Sequence, residues 1–489
     1  MFILLVILIY EAINILFYRQ NEQKDTRRTV YGFIIIISCF AQAMFGVVQF
    51  FGLFQVLTAF KVTGSFDNPA GFAACLCAGF PFVGFLLPDK NKYIRYGGWM
   101  VGVAIAVAVV LSQSRAGIMS IASICFILLN MKVFHKRWMK CLSLVCLALL
   151  LSGCYWMKKD SADGRLLIWS SSVNMIKDAP WFGHGVGSFE AHYMDYQAEY
   201  LKQFEGTRYA LLADNVKHPF NEYVGVLLNF GAFGLCLLLA IIVLLACCYK
   251  KKPCIEKQTA IYSLVSIGIF SLFSYPFTYP FTWIITVLCI FIITKEYLTT
   301  IFAYSKIKYA VCIIVLLCSL GGMYKLVERI KAEKEWGKAS VLALCGTYGK
   351  AFPIYEKLEK KFYDNPYFLY NYTAILLENK QYEESLRIAL QCRRYWADYD
   401  LELIIGEIYQ ELGRQELAEK YYNSASLMCP SRFLPFYKLF HLYKDNADRK
   451  NMLSMANLII DKPMKIKTST IRMMKREMMR EKMRLYTIN

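Results

Sequence analysis

The sequence predicts an all-α chain. A polytopic helical membrane domain of about ten spans, with one large outer loop, precedes a soluble α-solenoid. Three observations predict this. Of 489 residues, 57% are hydrophobic and only 19% charged, more apolar surface than a water-soluble core can hide. That surface is unevenly spread, since apolar runs dominate residues 1–324 and thin out over 325–489. The thinner part also carries an internal period of 33 to 34 residues, which marks stacked repeats.

A span needs about 20 mostly apolar residues to cross a hydrocarbon core about 30 Å thick. Ten stretches qualify, at about 2–18, 31–54, 69–87, 97–113, 115–131, 139–157, 221–249, 258–274, 280–297 and 306–324. The first lacks a charged leading region and a small-residue cleavage site, so it reads as a span and not as a signal peptide. The chain opens inside an apolar run, which leaves room for an upstream start. Sidedness follows from loop charge. One set of loops holds eighteen lysines and arginines, from Arg19 to Lys308, while the opposite short loops hold only Lys61 and Arg115. By the positive-inside rule the basic side is cytoplasmic. The 158–220 loop and the whole C-terminal segment then face outward, into the periplasm of a bacterium with an inner and an outer membrane.

The net charge of +19 invites a nucleic-acid reading, but many of the basic residues flank apolar runs, so no nucleic-acid partner is expected. The basic tail, 464–489, reads first as a solvated helix and second as a contact for anionic lipid. Most of the seventeen cysteines lie in apolar helices and none in the long loop, so they act as small apolar side chains. No paired CxxC or Cys/His spacing is present, so no metal site is expected.

From about 333 to 463 the repeat can be aligned by eye. NYTAILLENKQYEESLRIAL and IIGEIYQELGRQELAEKYYNSA place Lys380 over Gly413 and Ser385 over Ala418, and Tyr409 precedes Tyr443 by 34 residues. Small residues at the crossings and short turns between helices resemble the tetratricopeptide repeat, over a domain taken as 325–463. Such a stack buries each repeat only against its neighbours. It offers a docking surface for a protein partner, or alternatively a structural cap on the membrane domain.

The outer loop contains DGRLLIWSSSVNMIKDAPWFGHGVGSF, residues 163–189. Its apolar residues recur at helical spacing after Asp163, a candidate N-cap, and Lys177 closes that helix before Pro180. Gly183, Gly185 and Gly187 then form a turn where backbone can approach a ligand or another helix closely. Three more motifs fall on the same side: GSFDNPAGFA (64–73), in which Asp67 and Asn68 are candidate caps; SQSRAG (112–117), with Arg115; and HPFNEYVGVLLNFGAFG (218–234). The aromatic run SYPFTYPFTW (274–283) is also outer, and suits either stacking on sugars or an interfacial belt.

In that order these motifs resemble the O-antigen ligase and polymerase superfamily of bacterial membrane glycosyltransferases, over roughly residues 30–290. The family usually carries more spans than ten. The resemblance implies transfer of a glycan from undecaprenyl diphosphate in the outer leaflet to an acceptor hydroxyl on a glycolipid or glycoprotein, with no metal and no other cofactor. Arg115 and Arg165 match the family's two arginine motifs. Arginine presents a planar fork to phosphate oxygens and can stabilise the charge that develops on a diphosphate leaving group. For Arg115 the competing role is snorkelling to headgroups.

Relatives carry a histidine directly before the asparagine at the loop-to-helix junction. Here Phe220 takes that place before Asn221, and His218 stands three residues ahead of the asparagine. The carry-over therefore reaches Asn221, Glu222, Tyr223 and Gly231, and His218 is a base candidate by chemistry alone. Glu222 is the next candidate, followed by His184 and His192. A polymerase of lipid-linked repeat units is the alternative within this chemistry. A non-catalytic assembly scaffold or a lipid-linked glycan transporter is the alternative outside it.

Overall fold

A computed structural model describes residues 24–54, 60–132, 136–203, 207–303, 307–465 and 468–487. Every regular element among them is helical. The first five α-helices are α1 (Lys24–Phe50), α2 (Pro69–Gly79, continued by a 3-10 segment Phe80–Phe85), α3 (Lys92–Leu111), α4 (Arg115–Lys132) and α5 (Arg137–Met157). Residues 158–220 supply α6 (Lys159–Asp178), α7 (Ser188–Gln203) and α8 (Arg208–Leu212). Apolar helices return with α9 (Glu222–Lys251), α10 (Ile255–Ser271) and α11 (Pro280–Ala303), and α12 (Ile307–Leu344) leads into the C-terminal helices.

The chain divides into two compact units. The first is Met1–Lys158 with Phe220–Tyr223 and Gly234–Leu326; the second is Lys159–Pro219 with Val224–Phe233 and Val327–Asn489.

Among the described residues, five helices are long and apolar enough to cross a membrane: Tyr31–Phe50, Lys92–Leu111, Arg137–Met157, Glu222–Lys251 and Pro280–Tyr297. Of the ten expected spans, the one at 2–18 lies outside the described residues. The others each meet a helix, and three of the four outside these five meet one that is too short. The 69–87 stretch gives way to a 3-10 segment after Gly79, α10 has only 17 residues, and the apolar part of α4 is also short. The 306–324 stretch is the start of a single 38-residue helix.

These helices associate through small and hydroxylated residues, as expected where lipid removes the hydrophobic drive between helices. A side chain on Gly46 would overlap the Phe72 ring, and one on Gly79 would overlap Cys39. Buried serines bridge the helices: Ser263 Oγ donates to Ala78 O at 2.6 Å, Ser266 Oγ to Cys77 O at 2.7 Å and Ser120 Oγ to Ser266 O at 2.8 Å.

The second unit contains the repeats: α13 (Tyr348–Glu359), α14 (Pro366–Glu378), α15 (Tyr382–Arg393), α16 (Tyr399–Glu411), α17 (Gln415–Met428), α18 (Leu434–Asp445), α19 (Arg449–Asp461) and α20 (Ser469–Thr487). The period is visible in the backbone. Gly346, Lys380, Gly413 and Ala447 all have positive φ, at the 33- to 34-residue spacing read from the sequence. At each, the left-handed residue donates its N–H back into the ending helix, as do Lys380 N to Leu377 O and Gly413 N to Gln410 O. This is the helix-terminating turn of a Schellman type.

The following position bonds further back, as Arg414 N does to Tyr409 O and Asp448 N to Tyr443 O, so the Tyr409–Tyr443 equivalence is structural. At the crossings Ala351, Ser385 and Ala418 are fully buried. Together these features form a tetratricopeptide-like α-solenoid.

Candidate functional site

The unit boundaries divide the candidate residues into two groups. Arg115, Asn221, Glu222 and Tyr223 belong to the first unit; Arg165, Gly183, Gly185, Gly187 and His218 belong to the second.

In the first unit, several helix N-termini converge. Asn68, in an extended conformation, caps α2 by accepting from the amides of Ala70 and Gly71 at 2.9 and 3.0 Å, with Pro69 opening the helix. This is the expected cap, and Asp67 takes no part in it beyond a contact with the Asn68 amide. Asn68 Oδ1 also accepts the Tyr279 hydroxyl at 2.9 Å. Asn221 caps α9 in the same way, accepting Tyr223 N at 2.9 Å. Glu222 accepts Phe277 N at 3.1 Å, and the Tyr223 hydroxyl donates to Gly268 O at 3.0 Å.

The aromatic run 274–283 is thus fastened at both sides, to α2 through Tyr279 and to α9 through Phe277. Phe220 meets Tyr275 edge-on with ring centroids 5.3 Å apart, and Tyr275 stacks on Tyr279. The Glu222 carboxylate is committed at one oxygen to positioning this run, which weakens it as a base.

Arg115 opens α4 at the same end of the first unit, since Gly117 abuts Ala73 of α2. Its side chain is buried, and Nη1 donates to Lys158 O at 3.0 Å. Lys158 is the C-cap of α5, so the guanidinium satisfies a helix-end carbonyl and complements the negative end of the helix dipole.

In the second unit, α6 begins at Lys159, four residues before Asp163. Asp163 is therefore not its N-cap. It is a buried mid-helix carboxylate that pairs with Arg208 Nη1 at 3.2 Å. The helix closes at Lys177–Asp178 as expected. Arg165 and Trp169 are four residues apart and share one face of α6. Trp169 Nε1 donates to Pro219 O at 2.9 Å, so that face meets the segment that carries His218. His218 is half-buried and lies outside any helix. Burial lowers its pKa below the ordinary histidine value, and the neighbouring Lys217 charge lowers it further, so the imidazole is neutral and able to accept a proton at neutral pH.

The glycine turn answers to backbone packing. His184 N donates to Leu228 O at 2.8 Å and Gly185 N to Asn229 O at 3.1 Å, while Ala232 N donates to Pro180 O at 2.8 Å and Phe233 N to Trp181 O at 3.1 Å. The turn is therefore laid main chain to main chain along residues 228–233. Both partners need glycine: Gly231 breaks the helix with φ 62° and ψ −160°, and a Cβ on Gly183 would lie 2.5 Å from Asn229 C. Gly183 is closed on that side by protein. Gly185 and Gly187 are also at positive φ, but a Cβ added to either would meet no atom within 4 Å, so both remain open to a ligand.

His184 Nε2 lies 2.7 Å from Met175 O, and a carbonyl only accepts, so this nitrogen carries the proton. His192 is exposed, and its ring lies 6.3 Å from that of His184.

A set of contacts has no counterpart in the sequence reading. Residues of the 158–220 segment are joined to the repeats through Tyr367 Oη to Glu190 at 3.2 Å, Arg393 Nη2 to Asp195 at 2.6 Å, Asn215 Nδ2 to Asp398 at 2.7 Å and Arg432 Nη2 to Asp214 at 2.6 Å. The sequence signals these contacts only as acidic and amide side chains on one segment and arginine, tyrosine and aspartate near the repeat turns. Complementarity of that kind has no period by which to find it.

Residues 69–239 match the model of the O-antigen ligase family. No curated protein sequence matches the chain. Among solved structures the chain is similar to the crystal structure of yeast Tom70, at 11% identity, covering 86% of this chain and 89% of that one with a TM-score of 0.29; at that score neither fold nor function follows from the likeness. Apolar helices of spanning length together with the family match make this a membrane protein, in which residues 69–239 are similar to the O-antigen ligase family.

Proposed function

We propose that this protein moves a glycan from undecaprenyl diphosphate to an acceptor hydroxyl at the periplasmic face of the inner membrane, as a ligase. The observation that carries the reading is the family match over 69–239, because that stretch contains Arg115, Arg165, the glycine turn and the Asn221–Tyr223 junction. In this scheme the acceptor oxygen attacks the anomeric carbon while neutral His218 takes its proton. The bond from that carbon to the diphosphate oxygen breaks, and its electron pair leaves with the diphosphate. Arg165 and Arg115 bind the phosphate oxygens and stabilise the charge that builds there. Gly185 and Gly187 leave backbone open to the donor, and Tyr223 and Asn221 shape the acceptor side. The 1–324 segment is the membrane domain, with the 158–220 loop and the 325–463 repeats periplasmic. The repeats favour a ligase, because they give a bulky acceptor a surface to dock on.

The test is the length of the carrier-linked glycan in a deletion strain and in an Arg165→Ala strain. Long polymer on the carrier in both strains is the expected result. Single repeat units on the carrier would make the protein a polymerase instead. An unchanged carrier-linked pool in both strains would refute a catalytic role.

A further inference from the structure

We propose that the C-terminal repeats belong to the catalytic machinery: their inter-repeat connections hold residues 213–217, with Lys217 as the positioning residue that sets the place of His218. This rests on His218 being the acceptor base.

Residues 213–218 form no regular helix, and their local bonds are few: Ala213 N donates to Tyr209 O and Asn215 N to Asp214 Oδ1. Their position comes from the repeats. Ser431 Oγ donates to Ala213 O at 3.4 Å, Arg432 pairs with Asp214 at 2.6 Å, and Asn215 Nδ2 donates to Asp398 at 2.7 Å. The Lys217 ammonium lies 4.4 Å from the Tyr367 ring centroid and 5.1 Å from that of Trp396. From α7, Gln197 Nε2 completes the tether, bonding Asp214 O at 3.2 Å and Met428 O at 2.8 Å.

Four of the five residues preceding His218 are thereby tied to the repeats. The anchors cluster at successive repeat junctions, near 367, 396–398 and 431–432, so the repeat period itself supplies evenly spaced points of attachment. This use of the solenoid differs from a free docking surface, since the connecting turns are occupied by the protein's own loop.

Lys217 is the residue next to His218 in the chain. Lys217 is itself exposed, and its ammonium rests over the buried Trp396 and the partly exposed Tyr367, a modest attraction at such a site. The carboxyls of Glu190 and Asp400 attract the same ammonium, so it also has electrostatic reason to stay. A base must lie within hydrogen-bond reach of its proton, and a displacement of about 1 Å can lower a rate on the order of a hundredfold.

The experiment uses the full chain, added back to membranes of the deletion strain, which hold both unused donor and acceptor. Lys217→Met should lower the maximal transfer rate on the order of ten- to a hundredfold with the half-saturating donor level unchanged, and Asn215→Leu should do the same. Lys217→Arg keeps charge and stacking and should recover most of the rate. Amide exchange over Tyr399–Glu411 checks that the repeats remain folded. The proposal is overturned if Lys217→Met transfers at the native rate while His218→Ala is inactive, or if Lys217→Arg falls as far as Lys217→Met. Normal transfer by His218→Ala would instead overturn the base assignment, and the positioning role with it.

Discussion

Gly231→Ala should detach the glycine turn from α9. Gly231 sits at φ 62° and ψ −160°, a region that essentially only glycine occupies, and holding alanine there costs about 1–3 kcal/mol. Its Cβ would also fall on the carbonyl of Trp181 and within 2.5 Å of Phe182 N. These are main-chain atoms that cannot rotate aside, and such overpacking costs a further ~1–3 kcal/mol. The cheaper response is for the turn to move away. That breaks the bonds from Ala232 N and Phe233 N to Pro180 O and Trp181 O, each worth about 1 kcal/mol.

A local loss of about 4 kcal/mol corresponds to roughly a thousandfold faster exchange of the amides involved. Hydrogen exchange by mass spectrometry over 180–187 and 228–233, on the full chain in detergent, reads this directly. Gly185→Ala is the control: its φ is also positive, but nothing lies within 4 Å of the added methyl, so only about 1–2 kcal/mol of left-handed strain applies. Equal exchange in Gly231→Ala and the native protein would refute the pairing of these two segments.

Two further predictions concern the charged candidates. Arg115→Gln should lower thermal stability by about 1–2 kcal/mol through the lost bond to the α5 carbonyl at Lys158, so activity lost in that variant has to be set against the amount of folded protein. An unchanged melting temperature would show that this bond contributes nothing. The pH profile should report His218. Its folded pKa is lowered, by burial first and Lys217 second, so the neutral base prevails at and above the ordinary histidine value of about 6.5, and transfer should decline only as pH falls below it. An acid limb centred above that value would show that another group titrates. The same lowering means that the folded protein binds this proton less readily than the unfolded chain, so His218 costs stability as pH falls from about 6.5 through its folded pKa.

Composition and period alone determined the class of this protein. Apolar runs long enough to span a bilayer, with charge segregated to one set of loops, have few other physical explanations, and the helices appeared where the runs stand. The 33- to 34-residue offset likewise survived into the backbone as a left-handed residue at each turn. The cap at Asn68 was legible because a cap is a local device, settled within three residues. Asp163 misled for the same reason: its sequence suits a cap, but a partner 45 positions away in the chain, Arg208, made it worth burying inside the helix.

The candidate site was legible as a list of residue types and illegible as an arrangement. Glycines at 183 and 231 announce backbone freedom without saying that each exists to let the other's main chain approach. Glu222, Tyr223 and Tyr279 read as site residues, and only packing shows that their polar atoms also fasten neighbouring turns. Most of all, the attachment of residues 213–217 to the repeats depends on pairs separated by about 150 to 220 positions, such as Lys217 with Tyr367, Asn215 with Asp398 and Asp214 with Arg432. Side-chain complementarity at that separation leaves no periodic trace, and it takes the tertiary structure to bring the two halves of each pair together.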